Sequence, residues 1–356
     1  MKYSKKHLFF AISLPIQIVL VQFLSNKTYW IEQYYSNGLY PYISKTLRVL
    51  LGWIPFSFGD FLGLILIILL LKGVYQLVKN RFKNIINQLL KFTSALAIIY
   101  FCFYTFWGLN YFREPLAKNL NLQQAVYTTE QLTETTKKIV VELNKIHLQI
   151  TNNDSIKIEV PYTQKEIYQL ATNGYQNLSK KYPQLTYQNS SIKNSLVSLF
   201  QSYNGTSGYL NPITGEAQIN DMIPKTGYPA TTCHEMAHQI GWAAENDANF
   251  VGFLASIAND DLYFKYSGYR MAYNYCIGQV YKRDKVIAKA IAKSVNSGIY
   301  KDYRSSYQHW KQFENPIEPY FKKGYNSYLK ANNQSKGIKS YSYVVDLLIA
   351  YYKHQP

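Results

Sequence analysis

Three long apolar stretches near the start of the chain constrain its fold more than any other feature. They are HLFFAISLPIQIVLVQFL at 7–24, FLGLILIILLLKGVYQLV at 61–78 and FTSALAIIYFCFYTFWGLNY at 92–111. Each is close to the roughly 20 residues that a helix needs to cross the hydrocarbon core of a bilayer. Residues 61–71 have no polar face, so a buried helix of a soluble protein does not account for them. We therefore predict three transmembrane helices within a membrane domain that occupies residues 1–118.

The first stretch has an alternative interpretation as a secretory signal peptide, because Lys2, Lys5 and Lys6 precede it. However, the stretch contains Pro15 and Gln17, and no small-x-small cleavage site follows it. An uncleaved membrane helix is therefore the preferred interpretation.

The distribution of basic residues predicts the orientation of these helices. Lysine and arginine are dense before the first helix and in the linker at 79–91, whereas residues 25–60 contain only three of them. Loops rich in lysine and arginine stay in the cytoplasm. We therefore expect the N-terminus and the second linker in the cytoplasm, and everything after about residue 113 on the outer side.

The net charge of +17 is divided unevenly along the chain. Residues 1–118 carry 13 Lys/Arg and 3 Asp/Glu in an apolar background, which suits a membrane better than a nucleic acid. The remainder has 25 and 18, with no arginine-rich stripe and no glycine-rich phosphate loop, so we expect no nucleic-acid partner. The three cysteines form no Cys-x-x-Cys pair and indicate no disulfide framework.

Residues 119–356 predict a second, α-rich domain. Apolar residues recur at helical spacing through 128–150, and Thr163 and Glu166 have the spacing of a capping box. Further helical patterns occupy about 284–295, 300–313, 317–331 and 341–353. Residues 204–220 differ, because a glycine-rich loop there leads into the alternating run EAQIN, which predicts a short strand. The predicted fold class is mainly α, with transmembrane helices followed by an α-rich domain that has a small β-sheet.

The sequence TTCHEMAHQIGWAAENDANF contains the most informative motif, His-Glu-x-x-His at 234–238. Pro229 can begin a helix and Gly241 can end it, with no helix breaker between them. On that helix His234 and His238 project from one face, so two imidazoles could bind one zinc ion.

Glu235 follows the first histidine and is expected near the metal without binding it. A carboxylate in that place can act as general base toward a metal-activated water and then pass the proton to a leaving amine. Cys233 points about 100° away from its helical neighbour, so we do not expect it to bind the same ion.

A catalytic zinc also needs a third protein ligand and one open position. A second helix over about 243–258 carries Glu245 near its start, and Glu245 is the preferred third ligand. Asn249 lies one turn further on and is expected to form a hydrogen bond with a ligand histidine. Asp247 is the competing ligand, and His309 is a distant possibility.

HEMAH followed by ENDAN resembles the gluzincin class of zinc metallopeptidases. In the membrane-bound branch of that class, the third ligand is a glutamate four residues before an Asp or Asn that follows Ala, and 245–249 fits this pattern. FWGLNYFREPL after the third span and GYLNPITGEAQIN before the motif resemble a bacterial family of multi-span membrane proteins of uncharacterised function. Only six residues separate His238 from Glu245, fewer than in typical gluzincins.

The resemblance implies a zincin-like metallopeptidase domain at 119–356, on the outer side of a bacterial cytoplasmic membrane. It also implies that 216–220 is an edge strand on which a peptide substrate lies extended. A gluzincin needs a donor for the oxyanion, and the sequence does not single out one residue for this role. The candidates are Tyr263, Tyr266, Tyr269, Tyr273 and Arg270.

These features predict a membrane-anchored zinc peptidase that cleaves peptides or proteins near the membrane surface, with zinc as its cofactor and the lipid bilayer as a partner. The alternative is a non-catalytic zinc-binding envelope protein, either a scaffold or a sensor. A structural site has no use for Glu235, which favours catalysis. Hydrolysis of a different amide or of an ester is a third possibility.

Overall fold

A computed structural model describes residues 5–122 and 126–353, and it is mainly α-helical with one three-stranded sheet, as predicted. Lys2, which contributed to the predicted orientation, lies outside the described residues. The N-terminal helices are α1 (Lys5–Ser25), α2 (Thr28–Trp30), α3 (Tyr40–Gly52), α4 (Phe58–Lys79), α5 (Ile85–Phe106) and α6 (Leu116–Asn119). A π-helical segment, Ile31–Leu39, joins α2 to α3, and a 3₁₀ turn, Gly108–Phe112, follows α5.

Helices α1, α4 and α5 are long and apolar enough to cross a membrane. Few of their residues are buried within the protein, so most of their apolar side chains face outward. Helix α1 packs along α5, where the Ser94 hydroxyl donates to the carbonyl of His7 at 2.7 Å. The protein therefore has the character of a membrane-anchored protein, and its first two spans lie where the sequence predicted them.

The predicted end of the third span at residue 111 is wrong, because α5 ends at Phe106. Trp107 leaves the helical conformation, and the Asn110 side chain donates to its carbonyl at 3.0 Å. Trp107, Tyr111 and Phe112 are buried in the interior of the protein. Hydropathy extended the span because these residues are apolar, but they pack against protein and not against lipid.

The rest of the chain forms ten helices and three short strands among the described residues. They are α7 (Thr129–Thr151), α8 (Gln164–Lys181), β1 (Ile192–Asn194), α9 (Ser198–Asn204), β2 (Gly208–Leu210), β3 (Ala217–Ile219), α10 (Tyr228–Gln239), α11 (Glu245–Ala258), α12 (Leu262–Arg283), α13 (Lys285–Lys293), α14 (Ser297–Lys311), α15 (Glu318–Ala331) and α16 (Val344–Lys353). Short 3₁₀ turns are Pro183–Leu185, Lys225–Gly227 and Gly337–Tyr343.

Local signals account for the helix starts. The predicted capping box at the start of α8 is confirmed, with Thr163 and Glu166 bonding each other's backbone. Thr128 caps α7 in the same way. The apolar stripe of α7, which includes Leu132 and Leu143, is fully buried and packs against α12. The α-rich part therefore has a continuous core that places α10, α11 and α12 next to one another.

Close packing of α8 against α11 depends on Gly174, because a Cβ there would meet the carbonyl group of Ala255. We expect Gly174→Ala to lower the free energy of unfolding in detergent by about 1–3 kcal/mol through overpacking. Gly278→Ala is the matched control, since nothing lies within 4 Å of its Cβ position. Equal stability of the two variants would contradict this packing.

The sheet has the strand order β1-β3-β2, with β3 parallel to β1 and antiparallel to β2. The prediction that 216–220 forms the edge strand is therefore wrong, because β3 is paired on both sides. The alternating pattern identified a strand, but it holds no information on the number of neighbours. The edge strand nearest the candidate site is β2.

Residues before 119 also pack around the α-rich domain. Tyr40 and Ser44 of α3 donate hydrogen bonds to the carbonyl of Gln239, at 2.9 and 2.6 Å. They satisfy a carbonyl at the end of α10 that has no partner within its own helix. The folded unit that surrounds the candidate site thus extends back into the loop between the first two spans.

Candidate metal centre

Helix α10 carries both histidines of the motif, as the sequence predicted. Pro229 lies in its first turn, and His234 and His238 lie one turn apart on the same face. Their ring centroids are 4.7 Å apart and the rings are nearly perpendicular. Both imidazoles therefore point toward a common volume.

A tight turn after α10 brings Glu245 back to this volume. Gly241 has a φ of +90°, and the ring of Tyr40 lies 2.9 Å from the place where a Cβ would be. Gly252 then allows α11 to approach α10, since a Cβ there would lie 3.0 Å from the Cα of His234. Glycine is thus required both at the turn and at the helix crossing.

The Glu245 carboxylate lies beside both histidines. Its Oε2 is 3.4 Å from Nε2 of His234 and 3.6 Å from Nε2 of His238. Ligand atoms around a tetrahedral zinc, each about 2.0–2.1 Å from the ion, lie roughly 3.4 Å apart. This Oε2 is buried and has no hydrogen-bond partner among the described residues. The spacing and the unpartnered oxygen both fit a bound cation.

Neighbouring groups fix the orientation of two of these side chains. Nδ1 of His238 lies 2.7 Å from the carbonyl of Trp242, so a proton on Nδ1 leaves Nε2 free to bind a metal. The Tyr325 hydroxyl donates to Oε1 of Glu245 at 2.7 Å, and it lies 3.0 Å from the hydroxyl of Tyr341. Groups of this kind hold metal ligands in place.

Asp247 and Asn249 do not join the cluster. Asp247 accepts a hydrogen bond from the backbone N–H of Leu116 at 3.3 Å, and burial raises its pKa to about 7. Asn249 donates to the Tyr275 hydroxyl at 3.3 Å. The prediction that Asn249 forms a hydrogen bond with a ligand histidine is therefore wrong. The Trp242 carbonyl, and not Asn249, orients His238.

Two further residues considered from the sequence also lie elsewhere. His309 of α14 packs against the rings of Trp310 and Phe313. Cys233 is fully buried, with its carbonyl accepting a hydrogen bond from Tyr175 at 2.6 Å. Among the described residues, His234, Glu235 and His238 lie close enough together to share one metal ion. Cys233 is not part of this group.

Glu235 is buried beside the two histidines, with ligand atoms of the three residues within 4.8 Å of one another. Strand β2 passes close to it, since a Cβ on Gly208 would lie 2.8 Å from its Oε1. Its Oε2 has no hydrogen-bond partner among the described residues. Burial raises the pKa of Glu235, although the charges of His234 and His238 oppose this.

Electrostatic coupling within the cluster is strong. Burial lowers the pKa of His238, but the Glu245 and Glu235 carboxylates outweigh burial and raise that pKa to about 9. Burial also raises the pKa of Glu245, but the adjacent His234 and His238 imidazoles outweigh it, so the net shift is downward. Glu245 is therefore held as a carboxylate beside the two imidazoles.

The segment after the third span supports the turn between the two helices. The indole N–H of Trp107 donates to the carbonyl of His238 at 3.0 Å. Arg113 donates to the carbonyl of Gly241 at 3.0 Å, and its guanidinium lies 3.7 Å from the ring centroid of Trp242. Arg113 also forms a buried ion pair with Glu32 at 2.8 Å.

This ion pair predicts a pH-dependent stability. Burial raises the pKa of Glu32, but Arg113 outweighs burial and holds it below the usual 4.5. The pair therefore stabilises the fold above that pH, and the stability is lost as the pH falls through the lowered pKa. We expect Glu32→Gln to lower the free energy of unfolding at pH 7 by about 3 kcal/mol.

The difference between wild type and Glu32→Gln should shrink as the pH falls below about 4.5, measured by unfolding in detergent at pH 7 and pH 4. Glu142→Gln is the control, because the Glu142 side chain on α7 is 40% exposed and lies no closer than 3.7 Å to the amine of Lys145. A difference in the free energy of unfolding that stays constant with pH would show that the Glu32–Arg113 pair does not cause this pH dependence.

A cavity of about 1140 Å³ opens onto the cluster. Its lining includes His234, Glu235, Glu245 and Arg270. Of the five candidate oxyanion donors, Arg270 alone borders the cavity among the described residues, and it donates to the Ser306 hydroxyl at 2.8 Å. The four tyrosine side chains pack between helices. Tyr266, for example, donates a hydrogen bond to Asp302.

The sequence does not indicate a role at the site for Tyr325, Tyr341, Trp107 or Gly208. Tyr325 lies 80 residues after Glu245, in a chain with 35 tyrosines, so its type and position contain no signal. FWGLNYFREPL was noted for its resemblance, and its contacts with the turn at 238–242 now give it a structural role.

The fold and the cluster together define a membrane-associated helical protein with a buried histidine–carboxylate centre. The chain belongs to the family described as "Protein of unknown function (DUF3810)", which matches residues 35–349. No curated protein and no solved structure matches the chain. The family description names no activity, so the resemblance to gluzincins stays a prediction.

Proposed function

We propose that this protein is a membrane-anchored zinc peptidase. The observation that carries the proposal is the position of Glu245, whose unpartnered Oε2 lies 3.4 and 3.6 Å from the two imidazole Nε2 atoms. Three ligands of the types found in catalytic zinc sites converge there, while a structural site would take four.

In this proposal His234, His238 and Glu245 would hold the ion, which would supply Lewis-acid activation of water and of the substrate carbonyl. Glu235 takes the proton from the attacking water and delivers it to the nitrogen of the leaving amine. The position of Glu235 beside the two histidines suits this transfer. Tyr325 restrains Glu245 through its second oxygen, which keeps Oε2 directed at the histidines.

Strand β2 is the proposed docking edge for an extended peptide. Ser207 pairs with Asn220 and Asn211 pairs with Glu216 in the ladder to β3. In an antiparallel ladder these bonds alternate, so the N–H and C=O groups of Gly208 and Leu210 point away from β3. An added strand there would pass Glu235, because Gly208 lies directly against it.

The proposed location is a bacterial cytoplasmic membrane, with the α-rich domain on the outer side. The end of α1, the start of α4 and the end of α5 all adjoin that domain, while the basic linker at 79–84 joins the opposite ends of α4 and α5. Basic loops favour the cytoplasm. An alkaline phosphatase fused to the C-terminus should be active. An inactive fusion would indicate the opposite orientation in the membrane.

The function is tested with purified full-length protein in detergent and a mixed peptide library. We expect no hydrolysis after metal removal by chelation, and recovery with one equivalent of zinc but not with magnesium. Zinc binding without hydrolysis of any library peptide would favour the non-catalytic alternative. Hydrolysis that persists without metal would contradict the proposal.

A further inference from the structure

Helix α3 buries polar side chains and exposes large apolar ones, which is the reverse of a helix on the surface of a water-soluble protein. Ser44 is buried against the domain, whereas Tyr42 and Val49 on the other side are 73% and 50% exposed. Trp53, just after the helix, is 78% exposed. The spacing of seven and four residues places these three side chains on one helical face. Lys45 and Thr46 are also exposed on this side, so the face combines large apolar side chains with a basic group, as helices at a membrane surface do.

A second apolar surface lies on and around α9. Leu196, Leu199 and Phe200 are each more than half exposed, and residues 194–215 contain no charged side chain. Phe321 of α15 extends this surface, with its ring 5.3 Å from that of Phe200. Contiguous apolar patches on a protein surface usually mark a contact with a partner or a membrane.

Both surfaces are fixed to the first turn of α4. The carboxylate of Asp60, which is buried in that turn, accepts hydrogen bonds from the Ser195 hydroxyl and the Leu196 N–H, each at 2.8 Å. Lys193 donates to the carbonyl of Leu51 at 3.1 Å. This bond holds the end of α3 next to β1, close to the first turn of α4. The two apolar surfaces therefore meet where α4 begins its span.

Exposed aromatic residues make the surface continuous with the span itself. Phe56 and Phe61 flank the start of α4, are 44% and 46% exposed, and have ring centroids 6.2 Å apart. Aromatic side chains are enriched at the level where a membrane helix enters the headgroup region. A surface joined to that level is in position to contact lipid.

We propose that these two surfaces form an interfacial collar, which inserts among the lipid headgroups and upper acyl chains around the end of α4. The collar consists of the outward face of α3 with Trp53, and the exposed side chains of 196–200 with Phe321. It is a membrane contact in addition to the three spans, and it does not depend on zinc or on hydrolysis.

The collar also borders the cavity of the candidate site. Asn204, at the end of α9, and Phe321 line the cavity that leads to the histidine–carboxylate cluster. The cavity therefore shares elements with the lipid-contacting surface. If the proposed peptidase function holds, its substrates are membrane-bound polypeptides cleaved close to the bilayer surface.

Nitroxide labels on the full-length protein test the collar directly. Single cysteines replace Leu199, Phe321 or Trp53 in a Cys102→Ala background, since Cys233 and Cys276 are fully buried. The protein is reconstituted into vesicles of phosphatidylcholine and phosphatidylglycerol. Collisions of each label with oxygen and with a water-soluble nickel complex are then measured.

We expect labels in the collar to collide severalfold less with the nickel complex than a control label at Val286, while oxygen collisions rise. Val286 is an exposed apolar residue on α13, at 77% exposure. Nickel collisions equal to the control would place the surface in water. Few collisions with either reagent would indicate a protein contact, such as a second copy. Either result would overturn the collar.

Discussion

Glu235→Gln is expected to reduce peptide hydrolysis by about 10²–10⁴-fold while leaving the bound zinc in place. Glutamine keeps the size and shape of the side chain, but its amide cannot accept the proton of the attacking water. The two histidines and Glu245 are unchanged, so metal affinity should fall little. Zinc per chain and the initial rate of hydrolysis, measured on the same full-length preparation, separate these two effects.

Glu142→Gln is the matched control for this variant. It makes the same chemical change on an exposed face of α7, remote from the cluster, and should leave both the rate and the zinc content unchanged. Hydrolysis by Glu235→Gln at the wild-type rate would remove Glu235 from the proposed chemistry. Loss of zinc together with the rate would instead assign Glu235 a role in binding the metal.

Glu245→Ala is expected to weaken zinc binding by more than about 100-fold, which exceeds the effect usual for residues that only orient a ligand. The reason is geometric, because Oε2 of Glu245 lies close to both Nε2 atoms and has no other partner among the described residues. Competition with a zinc-binding dye on the full-length protein measures the change. Hydrolysis should be lost with the metal.

Two variants near Glu245 test the assignment of the third ligand. Asp247→Asn should keep full zinc affinity, because Asp247 faces the backbone of Leu116. Tyr325→Phe should weaken affinity by about 10–100-fold, since it removes the hydroxyl that holds Oε1 of Glu245. Zinc loss in Asp247→Asn with full binding in Glu245→Ala would reverse the assignment.

The features that the sequence predicted well are those encoded by neighbouring residues. The capping box of Thr163 and Glu166 marks the start of α8, and the whole signal lies within four consecutive residues. The motif at 234–238 places two histidines on one face because helical periodicity requires it. The glycine at 241 permits the turn that returns the chain to the histidines, and it has the positive φ that such a turn needs.

The features that the sequence did not predict depend on contacts between distant segments. The pairing of β3 on both sides requires β1 and β2, which are only three residues long and have no clear alternation. The hydroxyl that restrains Glu245 comes from α15, and the indole that holds the end of α10 comes from the segment after α5. Periodicity within one segment cannot specify such partners.

The third span shows how one signal can have two physical causes. Residues 92–111 read as a single apolar stretch, yet the helix ends at Phe106 and the last aromatic residues enter the protein core. Hydropathy measures transfer out of water and does not distinguish lipid from protein interior. The boundary between span and domain was therefore visible only once Trp107 could be seen against His238.

Zinc-edge X-ray absorption spectroscopy on zinc-loaded, full-length protein tests the central claim most directly. We predict one zinc per chain, with nearest atoms that are nitrogen and oxygen only, at about 2.0–2.1 Å, and with the outer-shell signal of two imidazoles. A sulfur atom at about 2.3 Å, or a spectrum unchanged in Glu245→Ala, would contradict the site formed by His234, His238 and Glu245.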